Sequence, residues 1–312
     1  MKKILVLALA LSMLFGLAAV SPAAINVKMG GYFLGTLILG EDGPGNSIRS
    51  FTVNRLALIT DADFGQNNGF KSEIRFMSHQ NNLLWQAYYY QKNIFAQDEL
   101  DLGYFPLTWH AGRSMTLGGS LGDQMCEMFG FNAAGAKYRV NLGLLTAIGS
   151  VTNAANMEFE NGDEYLDFTL RGEFALNQNF IVGLGIAQDT RNGGAEDSNF
   201  HMVVDAAFRM DAFSAYFEYI SYTPTDAGVK QDAVTGMYIE GAYAVSRQMN
   251  LYAGMCMAEE LDLYWGGLPA GLDYMTVGGN YMLNEDIIVW GEYFMDNLGD
   301  YSNLKFAMKV MF

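Results

Sequence analysis

The residues able to do acid–base or metal chemistry are few and scattered. The histidines are His79, His110 and His201, and the cysteines are Cys126 and Cys256. Spacings that hold a metal, such as HExxH or CxxC, do not occur in the sequence. His201 and Asp205 fall on one face of an alternating segment. Four residues along a strand separate them by roughly 13 Å, too far for a base and its orienting acid. An enzyme is therefore a poor reading, and no metal or cofactor is expected. What the spacing supports is electrostatic chemistry. Lys28, Arg55, Lys71, Arg75, Lys305 and Lys309 each occupy the polar face of a segment whose other face is apolar, and so do Asp205, Glu218, Glu240 and Glu292. Unpaired charges on one face need water on that face, while bulky apolar residues on the other need oil.

Those faces belong to strands. Leu304–Phe312 reads LKFAMKVMF, with Leu304, Phe306, Met308, Val310 and Phe312 on one side and Lys305, Ala307 and Lys309 on the other. Tyr165–Ala175 repeats the pattern: Leu166, Phe168, Leu170 and Phe174 oppose Asp167, Thr169, Arg171 and Glu173. A period of two is a strand period. About sixteen such segments follow one another from Ile25 onward. Their connections alternate in length. FGQNNG, LNQN, MDA, SRQM and NED are short, whereas 40–49, 106–129, 152–162, 189–198, 222–233 and 258–271 are longer. Short polar connections exclude βαβ crossovers, which need a dozen or more residues. Short turns at one end and long loops at the other describe a membrane barrel. A large soluble β-sandwich, the other two-faced architecture, does not predict that alternation.

The only long apolar run is N-terminal: Lys2 and Lys3, then Ile4 to Val20, then Ser21-Pro22-Ala23-Ala24. Basic start, apolar core and small residues describe a secretory signal peptide over residues 1–23, leaving 24–312 as one barrel domain. Later stretches fall short of the roughly 18 apolar residues of a transmembrane helix. The net charge of −16 argues against nucleic acid as a partner. The 35 Gly, 5 Pro and 14% aromatics suit many turns and aromatic belts. Phe174, Phe180, Phe208, Phe213 and Tyr281 fall at the short-turn rim, and Phe168, Phe200, Tyr219 and Tyr293 nearer the other.

One stretch breaks the rhythm. Pro106–Phe129 (PLTWHAGRSMTLGGSLGDQMCEMF) follows the fifth strand and has no period. Loops this long are usually functional or disordered. The strand count with this break resembles the bacterial outer-membrane porins. FTVNRLALITDADFG and LLWQAYYYQ are similar to early strands of the phosphate-selective branch, and GGNYMLNEDIIVWGEYF to the closing hairpin of general porins. The resemblance implies an all-β, transmembrane antiparallel barrel of about 16 strands, whose long loop after strand five folds inward. Trp109, Arg113, Asp123 and Glu127 would then sit at a constriction. It implies a channel in the outer membrane, with lipid and small hydrophilic solutes as partners. It also implies insertion by the barrel assembly machinery through the last strand, ending in Phe312, and allows a homotrimer. The connection at Ser78–Asn82 is shorter than the trimer latch of general porins, and 106–129 lacks their PEFGG-type sequence.

The charges then acquire an arrangement. Closure would join the basic residues of strands one, two, three and sixteen into a wall, with Asp205, Glu218, Glu240 and Glu292 across the lumen. Opposed charges across a low-dielectric constriction set up a transverse field. The acidic total leans toward cations, the basic wall toward weak anion binding at the narrowest point, and a mild cation preference is the expectation. Passive diffusion of small hydrophilic solutes or ions is the expected function. A sugar- or anion-selective channel, with Trp109, Trp290, Tyr216 and Tyr252 as stacking surfaces, and a non-conducting structural or adhesion barrel are the alternatives. Both cysteines are expected as free thiols, since a bridge needs Cα atoms within about 7 Å.

Overall fold

The computed structural model describes residues 25–41, 47–76, 84–95, 97–109, 111, 114–115, 132–153, 166–189, 199–223, 225–226, 228–258, 273–296 and 302–312. Residues 1–23, expected as a signal peptide, the connection 78–82, and His110, Arg113, Asp123, Cys126 and Glu127 lie outside them. The strands are β1 (Asn26–Glu41), β2 (Ser47–Gly65), β3 (Asn68–Phe76), β4 (Leu84–Lys92), β5 (Asp98–Pro106), β6 (Asn132–Asn141), β7 (Leu145–Asn153), β8 (Leu166–Asn177) and β9 (Phe180–Asp189). They continue as β10 (Asn199–Met210), β11 (Phe213–Thr223), β12 (Thr225–Asp226), β13 (Val229–Lys230), β14 (Val234–Ala244), β15 (Met249–Ala258), β16 (Tyr274–Asn284), β17 (Ile287–Asp296) and β18 (Ser302–Met311).

All but β12 and β13 form one closed antiparallel barrel of sixteen strands, each paired with its neighbours in sequence. Closure comes from β1, which pairs β2 on one edge and β18 on the other. Every strand edge is thereby paired, which is what a sheet needs where no water can reach its amides. At the seam Gly31 N donates to Phe312 O at 2.8 Å, and Phe312 N donates to Gly31 O at 3.0 Å. The outer surface is apolar around the whole circumference: Val27, Phe51, Leu58, Leu102, Leu170, Leu184, Val277 and Phe306 are all exposed. Bulky apolar side chains left uncovered all round a closed barrel mark a lipid-facing surface.

The short turns follow from residue chemistry. Asp63, Asn141, Asn177 and Asn284 each accept, through the side chain, from the backbone N–H two residues on, at 2.8–2.9 Å. A side chain that mimics a backbone turn reverses the strand in few residues. Gln66 and Asn67 both hold positive φ, 53° and 64°. That handedness matches the twist of the flanking strands.

Two expectations are corrected, and one turn sets a strand limit. β2 runs from Ser47 to Gly65, taking in part of the expected 40–49 loop and of the FGQNNG turn. Its alternation slips at a bulge opposite Leu34 and Gly35, where Arg55 and Val53 are the partners and Asn54 is the extra residue. β7 starts at Leu145, because Gly143 turns at φ 86°. Residues 222–233 are not all loop: β12 and β13 pair across Gly228, at φ 77°.

Candidate functional site

Antiparallel partners share a face, so the register carries each inner-wall side chain across the barrel. A basic cluster forms where β1, β2, β3, β4 and β18 meet. Arg75 lies flat on Trp85, its guanidinium carbon 3.5 Å from the ring centre, and Arg55 approaches the same ring at 5.9 Å. Arg55 Nη1 donates to the Tyr32 hydroxyl at 3.2 Å, and Lys309 Nζ sits 4.4 Å over the Tyr32 ring. Glu73 is the acid threaded through this group. It accepts from Arg75 Nε at 2.5 Å, Gln86 Nε2 at 3.1 Å and Tyr32 OH at 3.4 Å. Aromatic faces hold the cations in place without neutralising them. Of the other basic residues, Lys28 and Lys71 are both register partners of Asp61. Lys305 is the partner of Glu292 and lies 4.4 Å over the Phe294 ring.

The described part of the segment after β5 meets the inner wall of β8–β14. Trp109 is 4% exposed, within a cluster with Ala187, Val203, Tyr216, Ile220, Tyr222 and Tyr238. Its ring centre is 5.3 Å from that of His201, which in turn lies 4.8 Å from Tyr222. Its carbonyl accepts from Arg171 Nη1 at 3.4 Å and rests on Gly185, where any Cβ would collide with it. Further on, Ser114 Oγ donates to Glu240 Oε2 at 2.8 Å, and Met115 N donates to both Glu240 oxygens at 3.0 Å. β5 and β14 stand seven places apart in a ring of sixteen strands. A contact between residue 114, just past β5, and the inward Glu240 on β14 therefore spans the interior.

This changes the setting of the acids. Asp205, Glu218, Glu240 and Glu292 face inward but are buried. The open acidic wall expected from the alternation is instead a set of carboxylates bound to protein. Arg171, 1% exposed, grips Asp205 with both terminal nitrogens at 2.7 and 3.0 Å, and Glu173 with Nε at 3.0 Å. Tyr216 donates to Glu218 at 2.7 Å, Tyr238 to Glu240 at 2.7 Å, and Tyr252 to Glu292 at 3.1 Å. Glu292 is corrected in position as well. Closure sets β17 beside β18, so this acid adjoins Lys305 rather than facing it across the lumen.

His201 and Asp205 do not pair; His201 stacks in the Trp109 cluster and Asp205 belongs to Arg171. Among the described residues no group of His, Cys, Asp or Glu could hold a metal. The sequence reading missed Trp85, Arg171 and Gly185. Trp85 escapes because the register shifts between Glu73 and Ile74, which leaves it outside the alternation. Gly185 had a readable signal. The inward positions of β9 are Gly183, Gly185 and Ala187, a run of small residues that leaves a recess in the wall.

No protein-family model matches the chain, and no curated protein matches it. Solved structures do. OmpF of Salmonella typhi, in complex with daunomycin, is similar at 12% identity and a TM-score of 0.70, over 94% of this chain and 99% of that one. The fold is the porin fold. The anion-selective porin of Comamonas acidovorans is similar at 12% identity and a TM-score of 0.70, over 92% of this chain and 100% of that one. OmpT of Vibrio cholerae, an outer membrane protein in a trimer form, is similar at 13% identity and a TM-score of 0.66, over 93% and 100%. With its apolar exterior and complete closure, this porin-like barrel is a membrane-spanning barrel of the outer-membrane type. Identity this low is what a period-two pattern permits, since many residues satisfy each face. Wall chemistry is therefore this chain's own.

Proposed function

We propose that the chain is a porin-like channel for passive diffusion of small hydrophilic solutes or ions across the bacterial outer membrane. One observation carries it: a closed barrel whose inner wall concentrates Arg55, Arg75 and Lys309 opposite a strand-linking segment held against the far wall at Trp109 and Ser114–Met115. The segment after β5, through Trp109 and Ser114–Met115, narrows the path. Lys28, Arg55, Lys71, Arg75, Lys305 and Lys309 line the basic side of the path. Field lines focus between them because the barrel wall is a poor dielectric. Purified protein in a planar bilayer is expected to give discrete conductance steps. Silence at all voltages would instead favour a non-conducting structural or adhesion barrel.

A narrower version favours anions. Its support is the local balance at the narrow side, where Arg55, Arg75 and Lys309 surround Glu73 while Asp205, Glu218 and Glu240 are buried against protein. The sign of the reversal potential across a KCl gradient decides it. Assembly through the last strand, whose Phe312 closes the seam, and association into a homotrimer complete the proposal; crosslinking in detergent reads the latter.

A further inference from the structure

A second charged constellation lies apart from the basic cluster, at the short-turn mouth. A cavity of about 390 Å³ opens there, lined by Lys92, Glu99, Arg139, Asn141, Thr146 and Glu173 among others. That volume is in the range of small-molecule sites. Signs alternate along its wall. Lys92 is the register partner of Glu99, and Glu99 of Arg139. Two strands on, Thr146 partners Glu173. Lys92 and Glu99 form a loose, solvated pair at 3.6 Å. Glu173 is oriented by Arg171 Nε at 3.0 Å. Arg139 is exposed, and its side chain has no partner among the described residues. A simple anion at Arg139 would feel Glu99 and Glu173, and a simple cation at Glu173 would feel Arg139 and Arg171. A solute carrying one charge of each sign at its two ends satisfies both. Arg139 on β6 and Glu173 on β8 stand about 10 Å apart between strand axes, and their side chains reach into that gap. Two residues of extended peptide span about 7 Å.

On the channel reading above, we propose that this vestibule is a binding site for zwitterionic solutes of dipeptide size. The carboxylate takes the Arg139 fork, the ammonium takes Glu173, and the Thr146 hydroxyl on β7 lies between them. Bidentate guanidinium–carboxylate pairing supplies orientation as well as energy. The test is single-channel recording with glycylglycine added to either side, with acetate and methylammonium as separate controls at equal ionic strength. A saturable fall in conductance with glycylglycine alone, stronger from the short-turn side, is expected. Arg139→Gln and Glu173→Gln should each weaken the half-blocking concentration about tenfold or more, as loss of a charge-assisted pair implies. The exchange Arg139→Glu with Glu173→Arg should recover part of it. An equal response to acetate, or no response while the channel conducts, overturns the site. If the protein does not conduct at all, the channel reading fails separately. Calorimetric titration of the detergent-solubilised barrel with glycylglycine then decides the site, by binding that Arg139→Gln removes or by no binding.

Discussion

Glu240 is a buried carboxylate whose partners arrive from the far side of the barrel. Tyr238 alone would leave it under-satisfied; Ser114 Oγ and Met115 N complete it. Hydrogen bonds to a charged group contribute about 1.5–3 kcal/mol each. Glu240→Ala should therefore lower the thermal unfolding midpoint of the detergent-solubilised protein and make the open current larger and noisier. An unchanged current would mean that this segment does not bound the path. Gly185 acts by absence of a side chain. Gly185→Val drives a branched side chain into the Trp109 carbonyl, a backbone atom that cannot rotate away. Overpacking of this kind costs about 1–3 kcal/mol. Its current should change in the same direction as that of Glu240→Ala, since both release one segment. Cys256 is fully buried and free. A thiol reagent should modify it only after the barrel unfolds, which mass spectrometry reads directly.

Among the elements, β18 does the most with the fewest residues. It pairs β17 on one edge and β1 on the other, and Phe312 makes the reciprocal backbone bonds to Gly31 that end the seam. Gly31 admits the Phe312 ring at close range. Removal of Phe312 should reduce the fraction of compact, heat-modifiable barrel on gels; Phe312→Tyr should retain it. Equal yields from both would place the closing energy elsewhere in β1–β18. β9 is the counterpart on the wall, with Val182, Leu184 and Ile186 on the outer face and Gly183, Gly185 and Ala187 on the inner. Its outer face was plain from alternation. Its inner recess was present as small residues, but what fills it comes from a segment some seventy residues earlier.

For the whole molecule, closure decides which charges meet. The basic residues of β1, β2, β3 and β18 are far apart in sequence, yet Arg55, Arg75 and Lys309 gather about Tyr32 and Trp85. The double variant Arg55→Ala with Arg75→Ala removes two cations from one side of the path. Its reversal potential in a KCl gradient should move toward cations relative to the parent. No shift would place the selective step away from this wall. Elsewhere on the wall cations are matched by acids, as Arg171 is by Asp205 and Lys137 by Asp101.

The sequence by itself determined the class of fold. Alternation is local, because a pleated strand assigns each side chain a face, and turn chemistry is local, because an Asx side chain bonds two residues on. These two signals specify strands, their number to a close approximation, and the end at which turns are short. The side of each strand that meets oil follows from side-chain size and charge. Only the tertiary structure decided what the inner face does. Bulges at Asn54 and beside Trp85 shift the phase, and a bulge depends on the partner strand. Asp205, Glu218, Glu240 and Glu292 look alike in sequence as inward acids. Which of them meets an arginine or a segment crossing the lumen depends on contacts between residues 34 positions apart, as Arg171 and Asp205, or 126 apart, as Ser114 and Glu240. No periodicity encodes those contacts, because they are set by ring closure and by the space that Gly185 leaves open.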